Sequence, residues 1–191
     1  MEEFYKNRSV SSCMAEGYQL YLHNFRNVIQ KTWKEALATS FSFALLLLFA
    51  TQIGSSAYWI KLSASAVLLV ATMIFFKLRM YKSVDENPLQ WKLLHLFKHI
   101  GFYFAYLLLA GTILLMIVVC VCVPLVIMLY ATFSNYRGLQ IGDPNGLPGY
   151  FPYFFFATAM LTMLVLLYLV AWKPFVRCYI HGSIISKENK K

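Results

Sequence analysis

The stretch from Gly101 to Phe133 reads GFYFAYLLLAGTILLMIVVCVCVPLVIMLYATF, and none of its 33 residues carries a charge. About 20 apolar helical residues, each rising about 1.5 Å, are enough to cross the hydrocarbon core of a bilayer. The stretch therefore predicts a membrane span with surplus length. Pro124 lies inside it, removes a backbone donor and clashes with the preceding turn, so we expect a kink near residue 124.

The composition of the whole chain agrees with this prediction. Of the 191 residues, 60% are hydrophobic and only 13% are charged, which is too few charges to cover a water-facing surface. Three shorter apolar runs accompany the long one, at residues 36–53, 59–76 and 151–172. The predicted fold class is all-α, a polytopic membrane helical bundle of four transmembrane helices in one membrane domain, 1–191.

Two amphipathic helices are predicted outside the four spans, at residues 11–34 and 88–99. The first starts with Ser11 or Ser12 as its helix cap, and the second has a proline in its first turn. The apolar residues of the first recur at three- and four-residue spacing: Met14, Tyr18, Tyr21, Leu22, Phe25, Ile29 and Trp33. We expect both helices to lie in the headgroup region on the cytoplasmic side. A helix packed under the bundle fits the first pattern equally well.

The positions of Lys and Arg predict the orientation of the spans. Five precede the first run, five lie between the second and third runs, five follow residue 172, and only Lys61 and Arg137 lie elsewhere. The positive-inside rule then puts both termini in the cytoplasm, with 134–150 as an external loop and 173–191 as a basic cytoplasmic tail. The net charge of +9 thus indicates topology and contact with anionic lipid headgroups, and no nucleic-acid partner is expected.

No constellation typical of catalysis or metal binding is visible. His95 and His99 have the i, i+4 spacing of a two-histidine metal site, but no third ligand lies nearby. Cys120 and Cys122 are two residues apart, so on an intact helix they point in different directions and cannot chelate one metal. We therefore predict no metal, no cofactor and no enzymatic activity.

The segment from Glu16 to Leu37, EGYQLYLHNFRNVIQKTWKEAL, directly precedes the first apolar run. It resembles the opening of an uncharacterised group of bacterial multi-span membrane proteins, related to the membrane domain that precedes some glycerophosphoryl diester phosphodiesterases. In that group a short helix ahead of the first span carries a tyrosine, an Asn-Phe pair and an arginine. The matching residues here are Tyr18 or Tyr21, Asn24, Phe25 and Arg26. The resemblance covers only the N-terminal part of the chain. Many members of that group have more than four spans, and the 191 residues contain no phosphodiesterase domain, so the resemblance implies no activity.

These patterns favour a non-enzymatic protein of the bacterial cytoplasmic (inner) membrane that acts by association with itself or with a partner membrane protein. A basic cytoplasmic face would rest on anionic lipid. The predicted docking residues are four apolar anchors and three headgroup contacts: Tyr18, Phe25, Trp91, Phe97, Arg26, Lys92 and Arg177. The alternative is an oligomeric channel or transport component in which Ser and Thr faces line a pore. A membrane enzyme acting on lipid is a third class, but no paired acid and base supports it.

Overall fold

The computed structural model describes residues 8–52, 57–84, 100–142 and 146–188, and most of these residues are helical. In chain order the helices are α1 (Val10–Ala50), α2 (Tyr58–Val84), α3 (Ile100–Ile141), α4 (Phe151–Val170) and α5 (Lys173–Glu188). No strand occurs within the described ranges, which confirms the all-α class.

Four helical stretches in the described part of the chain are long and apolar enough to cross a membrane. They are Val10–Ala50, Tyr58–Lys82, Ile100–Ile141 and Phe151–Ile184. This confirms the predicted number of helices that are able, by length and composition, to span a membrane, as a multi-pass membrane protein requires. The second amphipathic helix, predicted at 88–99, lies outside the described residues.

The helices are longer than the apolar runs that predicted them. α1 includes both the predicted amphipathic helix 11–34 and most of the predicted span 36–53 without a break. α3 continues through Pro124 and past Phe133, so the first eight residues of the predicted loop 134–150 are helical. A bend at Pro124 stays a prediction.

Gly142 explains where α3 ends. Its backbone has a φ of +90°, a left-handed conformation that glycine adopts without steric cost, and its N–H donates to the carbonyl of Leu139 over 3.3 Å. The residues between Phe133 and Gly142 include several polar side chains but no proline, and the helix continues through them.

The segment after residue 172 differs from the basic tail predicted for 173–191. Residues 173–188 form α5, and its apolar side chains are buried along one side: Phe175, Val176, Tyr179, Ile180 and Ile184. Their spacing places them on one face of a helix, which needs a partner to cover it. The basic residues of this segment are therefore carried on a packed element of the fold.

The described chain divides into two compact units. The basic unit consists of Met1–Thr32, Lys77–Met116 and Tyr168–Lys191, and the apolar unit consists of Trp33–Phe76 and Ile117–Leu167.

Within the basic unit, the first turns of α1 pack closely on α5. A Cβ atom added to Gly17 would lie 2.6 Å from the Cα atom of Val176, closer than real Cβ contacts, so only glycine fits there. Cys13 is also fully buried on this side of α1, and its thiol donates to the carbonyl of Tyr179 at 3.8 Å. Small residues thus let the two helix backbones approach each other, as they do in membrane helix pairs.

The residues before α1 are hydrogen-bonded to α5. The N–H of Arg8 donates to Ser183 Oγ over 3.1 Å, and this hydroxyl donates back to the carbonyl of Arg8 over 3.2 Å. The Arg8 guanidinium pairs with the Glu16 carboxylate at 2.7 Å and lies 5.0 Å from the centre of the Tyr179 ring. The start of the described chain is therefore held on α5.

Within the apolar unit, the core consists of Ala44, Leu125, Phe155 and Ala159. Beside it, Thr39, Ser40 and Ser42 of α1 are almost completely buried. Each of these three hydroxyls donates to the carbonyl four residues earlier, over 2.7 to 2.8 Å. Their hydrogen-bonding need is met inside their own helix, so they pack as small side chains without an unsatisfied polar group.

Candidate lipid- and partner-docking surface

The basic unit carries far more positive than negative charge. Apart from Arg8, its described cationic side chains are on α1, α2 and α5: Arg26, Lys31, Lys77, Arg79, Lys82, Lys173 and Arg177. The first five of them are exposed. Glu16 is the one carboxylate among the side chains described in this unit, and it pairs with Arg8. Among the described side chains of this unit, positive charge therefore exceeds negative charge.

The seven predicted docking residues can be placed only in part. Tyr18 is 47% exposed, Phe25 is 37% exposed and Arg26 is exposed, all on α1, while Arg177 is half-buried on α5. Trp91, Lys92 and Phe97 lie outside the described residues, so the structure does not place them. The four residues that are placed all belong to the basic unit.

Tyr21 holds the two α1 anchors in position. Its ring lies 6.5 Å from that of Tyr18 and 5.5 Å from that of Phe25, measured between centroids, and 5.5 Å from that of Phe175 on α5. Its hydroxyl donates to the carbonyl of Tyr168 over 2.7 Å. Tyr18 and Phe25 are therefore the exposed edge of an aromatic cluster whose centre is buried, which gives them fixed positions at low entropic cost.

Arg177 is positioned by two tyrosines from other helices. Its Nη1 donates to the Tyr81 hydroxyl over 2.8 Å, and the Tyr106 phenol is within hydrogen-bonding reach of the same guanidinium. Tyr81 belongs to α2 and Tyr106 to α3, so three helices meet at this cation. Arg177 thus helps to join the helices, and its contact with a lipid headgroup stays a prediction.

Lys173 lies one helical turn before Arg177 on the same side of α5. No acceptor for the Lys173 ammonium is present among the described residues. Like charges four residues apart on a helix face disfavour each other.

Other contacts bring together basic segments that are distant in the chain. Arg79 Nε on α2 donates to the carbonyl of Lys31 on α1 over 3.3 Å.

The basic unit also has an open polar recess of about 420 Å³, which is lined by Arg8, Glu16, Gln19, Leu20, His23 and Tyr179. Since Arg8 and Glu16 neutralise each other, this recess has little net charge.

The sequence alone did not identify Tyr81, Tyr106 or Lys173 as a group. Lys173 and Arg177 had an available signal, since two cations at i, i+4 spacing directly after an apolar run share a helix face. The two tyrosines had none, because nothing in their local sequence indicates that α2 and α3 bring them to α5. Within the described ranges, no cluster of three or more His, Cys, Asp or Glu residues could hold a metal ion.

Comparison of the chain with protein-family models, curated proteins and solved structures finds no match.

Proposed function

We propose that this chain is a non-enzymatic integral protein of a bacterial inner membrane that acts by association. Its basic unit would face the cytoplasm and hold anionic lipid, and its apolar helices would bind a second copy or a partner membrane protein. The observation that carries the proposal is the charge of the basic unit, where seven cationic side chains accompany the Arg8–Glu16 pair.

The size of the charge imbalance supports contact with an anionic bilayer surface. Each Lys or Arg near such a surface contributes about 1 kcal/mol of attraction. The exposed cations come from two helices, with Arg26 and Lys31 on α1 and Lys77, Arg79 and Lys82 on α2. Five exposed cations in one compact unit would favour anionic over zwitterionic lipid strongly.

The exposure of α3 supports association within the membrane. Only 6% of its most apolar window is buried within the chain. The uncharged run 101–133 is about 50 Å long as a straight helix, so it would have to tilt about 53° to fit a core of about 30 Å. Observed tilts lie between about 0 and 40°. Part of the run would therefore project beyond the hydrocarbon core. Contact with a second chain would cover the apolar surface of α3 in that part.

The burial of hydroxyl groups favours association over a pore. An oligomeric channel needs polar faces that turn away from the chain's own core. Six of the span hydroxyls and their neighbours are instead buried within the single chain: Thr32, Thr39, Ser40, Ser42, Ser65 and Thr162. These six hydroxyls are thus used inside each unit and are not available to line a pore.

The test is the lipid composition around the protein in nanodiscs cut directly from its native membrane. Arg26→Gln with Lys82→Gln removes two exposed charges of the basic unit, and Lys61→Gln with Arg137→Gln removes two from the apolar unit as a control. We expect anionic lipid to be enriched over the bulk membrane, and the basic-unit variant to lose about 5-fold or more of that enrichment. Equal enrichment in both variants would contradict the proposal, once fusion reporters confirm that neither variant inverts.

A further inference from the structure

Four side chains of the basic unit form a cluster that contains donors in excess. Arg177 and Lys173 come from α5, Tyr81 comes from α2, and Tyr106 comes from α3. Guanidinium and ammonium groups can only donate, so the Tyr81 oxygen accepts from Arg177 and its own hydrogen is left to donate. Neither that hydrogen nor the Lys173 ammonium has an acceptor among the described residues.

The cluster lies where three predicted spans end on the same side of the membrane. Tyr81 follows the second run, 59–76, Tyr106 lies near the start of the third, 101–133, and Lys173 directly follows the fourth, 151–172. Their convergence on Arg177 sets the cluster at the boundary between apolar and polar sequence on each helix. This boundary is the depth at which the phosphate groups of phospholipids lie.

We propose that Lys173, Arg177 and Tyr81 form a binding site for the phosphate group of one anionic phospholipid. Phosphate oxygens accept the remaining donors of Lys173 and Tyr81, and their negative charge attracts the ammonium and guanidinium groups. Tyr106, on α3, helps to position the Arg177 guanidinium. The inference rests on the proposed function, and it replaces general attraction to the lipid surface by one site with a defined set of donors.

A choline or ethanolamine headgroup fits this site less well. Each carries a cation beside its phosphate, which would add a third positive charge next to Lys173 and Arg177. An anionic headgroup such as phosphoglycerol carries none. The site is therefore expected to select the anionic lipid even when both lipids present the same phosphate.

Tyr81→Phe is the most informative variant because it removes a hydroxyl and leaves every charge in place. General electrostatic attraction is unchanged by it, whereas a phosphate site loses a donor and the anchor of Arg177. Tyr103→Phe is the matched control, since Tyr103 also belongs to the basic unit, on α3, and its hydroxyl makes no hydrogen bond among the described residues. Lys173→Gln and its control Lys77→Gln form a second pair that does not depend on the first variant folding well.

The experiment uses the full chain in phosphatidylcholine nanodiscs that contain a minor fraction of phosphatidylglycerol, with bound lipid counted by native mass spectrometry. We expect one retained phosphatidylglycerol, and about a 10-fold loss of retention in Tyr81→Phe and Lys173→Gln but not in the two controls. Equal losses in Lys173→Gln and Lys77→Gln, with none in Tyr81→Phe, would overturn the site and leave the proposed function standing. Absence of any preference for phosphatidylglycerol in the wild type would overturn both.

A competition arm separates lipid from free phosphate. Inorganic phosphate is added at the concentration of the accessible phosphatidylglycerol. We expect retention of the lipid, because its acyl chains remain in the bilayer and keep its headgroup at high effective concentration. Displacement by inorganic phosphate would show a site for a soluble anion and would overturn the assignment to lipid.

Discussion

Single residues show why the buried side of α1 could be predicted only in part. Apolar periodicity selected Tyr18, Leu22 and Trp33 along with Tyr21, yet Tyr18, Leu22 and Trp33 are about half exposed and Tyr21 is buried. The buried side also includes small residues that the apolar pattern did not select, such as Cys13 and Gly17. In a membrane protein large apolar side chains are stable against lipid, so hydrophobicity does not distinguish the protein-facing side, whereas close approach of backbones requires small residues.

The cap of α1 gives a second residue-scale example. Ser11 or Ser12 was predicted to cap the helix, but Ser9 does so, accepting from the N–H of Ser12 at 3.3 Å. Ser9, Ser11 and Ser12 all have a side chain that suits the N-cap position, so the local sequence does not distinguish between them. The hydrogen bonds between Arg8 and Ser183 hold the chain ahead of the helix, and these connect residues that local sequence cannot relate.

Gly17→Ala tests the close contact between α1 and α5. The added Cβ would lie 2.6 Å from the Val176 Cα, so the backbones must separate. We expect an overpacking cost of about 1–3 kcal/mol, which exceeds the gain in helix propensity of about 1 kcal/mol. The thermal unfolding midpoint in detergent should fall.

Gly111→Ala is the control for this substitution. Gly111 is an exposed residue of α3, and nothing lies within 4 Å of an added Cβ. Its unfolding midpoint should stay the same or rise, because alanine favours the helix. A lower midpoint in both variants would show that the close approach at Gly17 has no special role.

At the scale of elements, the sequence predicted which segments are helices better than it predicted their ends. The four apolar runs each lie within, or mostly within, one helix, because a long uncharged run has few other stable structures in a bilayer. The helices extend beyond the runs, as α3 does from Phe133 to Ile141. The packed helix α5 was missed because its net positive charge indicated a tail, although its apolar residues share one face.

Ala159→Leu tests the packing of α4 in the apolar unit. Ala159 is completely buried in the core with Ala44, Leu125 and Phe155, so a leucine must displace its neighbours. Although leucine is more hydrophobic, we expect a loss of about 1–3 kcal/mol in stability. Steric-trap or denaturant unfolding in bicelles would measure it.

The same substitution at Ala157 is the matched control. Ala157 is exposed on the other side of α4, where a leucine would meet lipid. Its stability should be nearly unchanged. If Ala157→Leu destabilised the protein as much as Ala159→Leu does, the assignment of the core-facing side of α4 would be wrong.

At the scale of the whole molecule, composition and length were enough for the class, and charge counting gave an orientation that stays a prediction. The contacts of Arg177 and Arg79 bring together basic segments that the positive-inside rule assigns to one side. The cluster of Lys173, Arg177, Tyr81 and Tyr106 could be recognised only in the three-dimensional structure, because its members are up to 96 residues apart in the sequence.

Flux measurements separate association from transport. Purified protein reconstituted into liposomes should give no more ion or small-solute flux than empty liposomes, because the buried hydroxyls of the spans do not face a pathway. The control is the same preparation with a known pore added, which shows that the liposomes are sealed and the assay responds. Flux that depends on the amount of this protein would favour the channel alternative.

The most direct test of the central claim is the mass of the complex released from native-membrane nanodiscs, measured by native mass spectrometry. A single chain has a mass of 22.0 kDa. The proposed association predicts either a defined multiple of that mass or the chain with a second protein in fixed stoichiometry, in each case with retained anionic lipid. A 22.0 kDa chain alone, with lipid in the proportions of the bulk membrane, would contradict it.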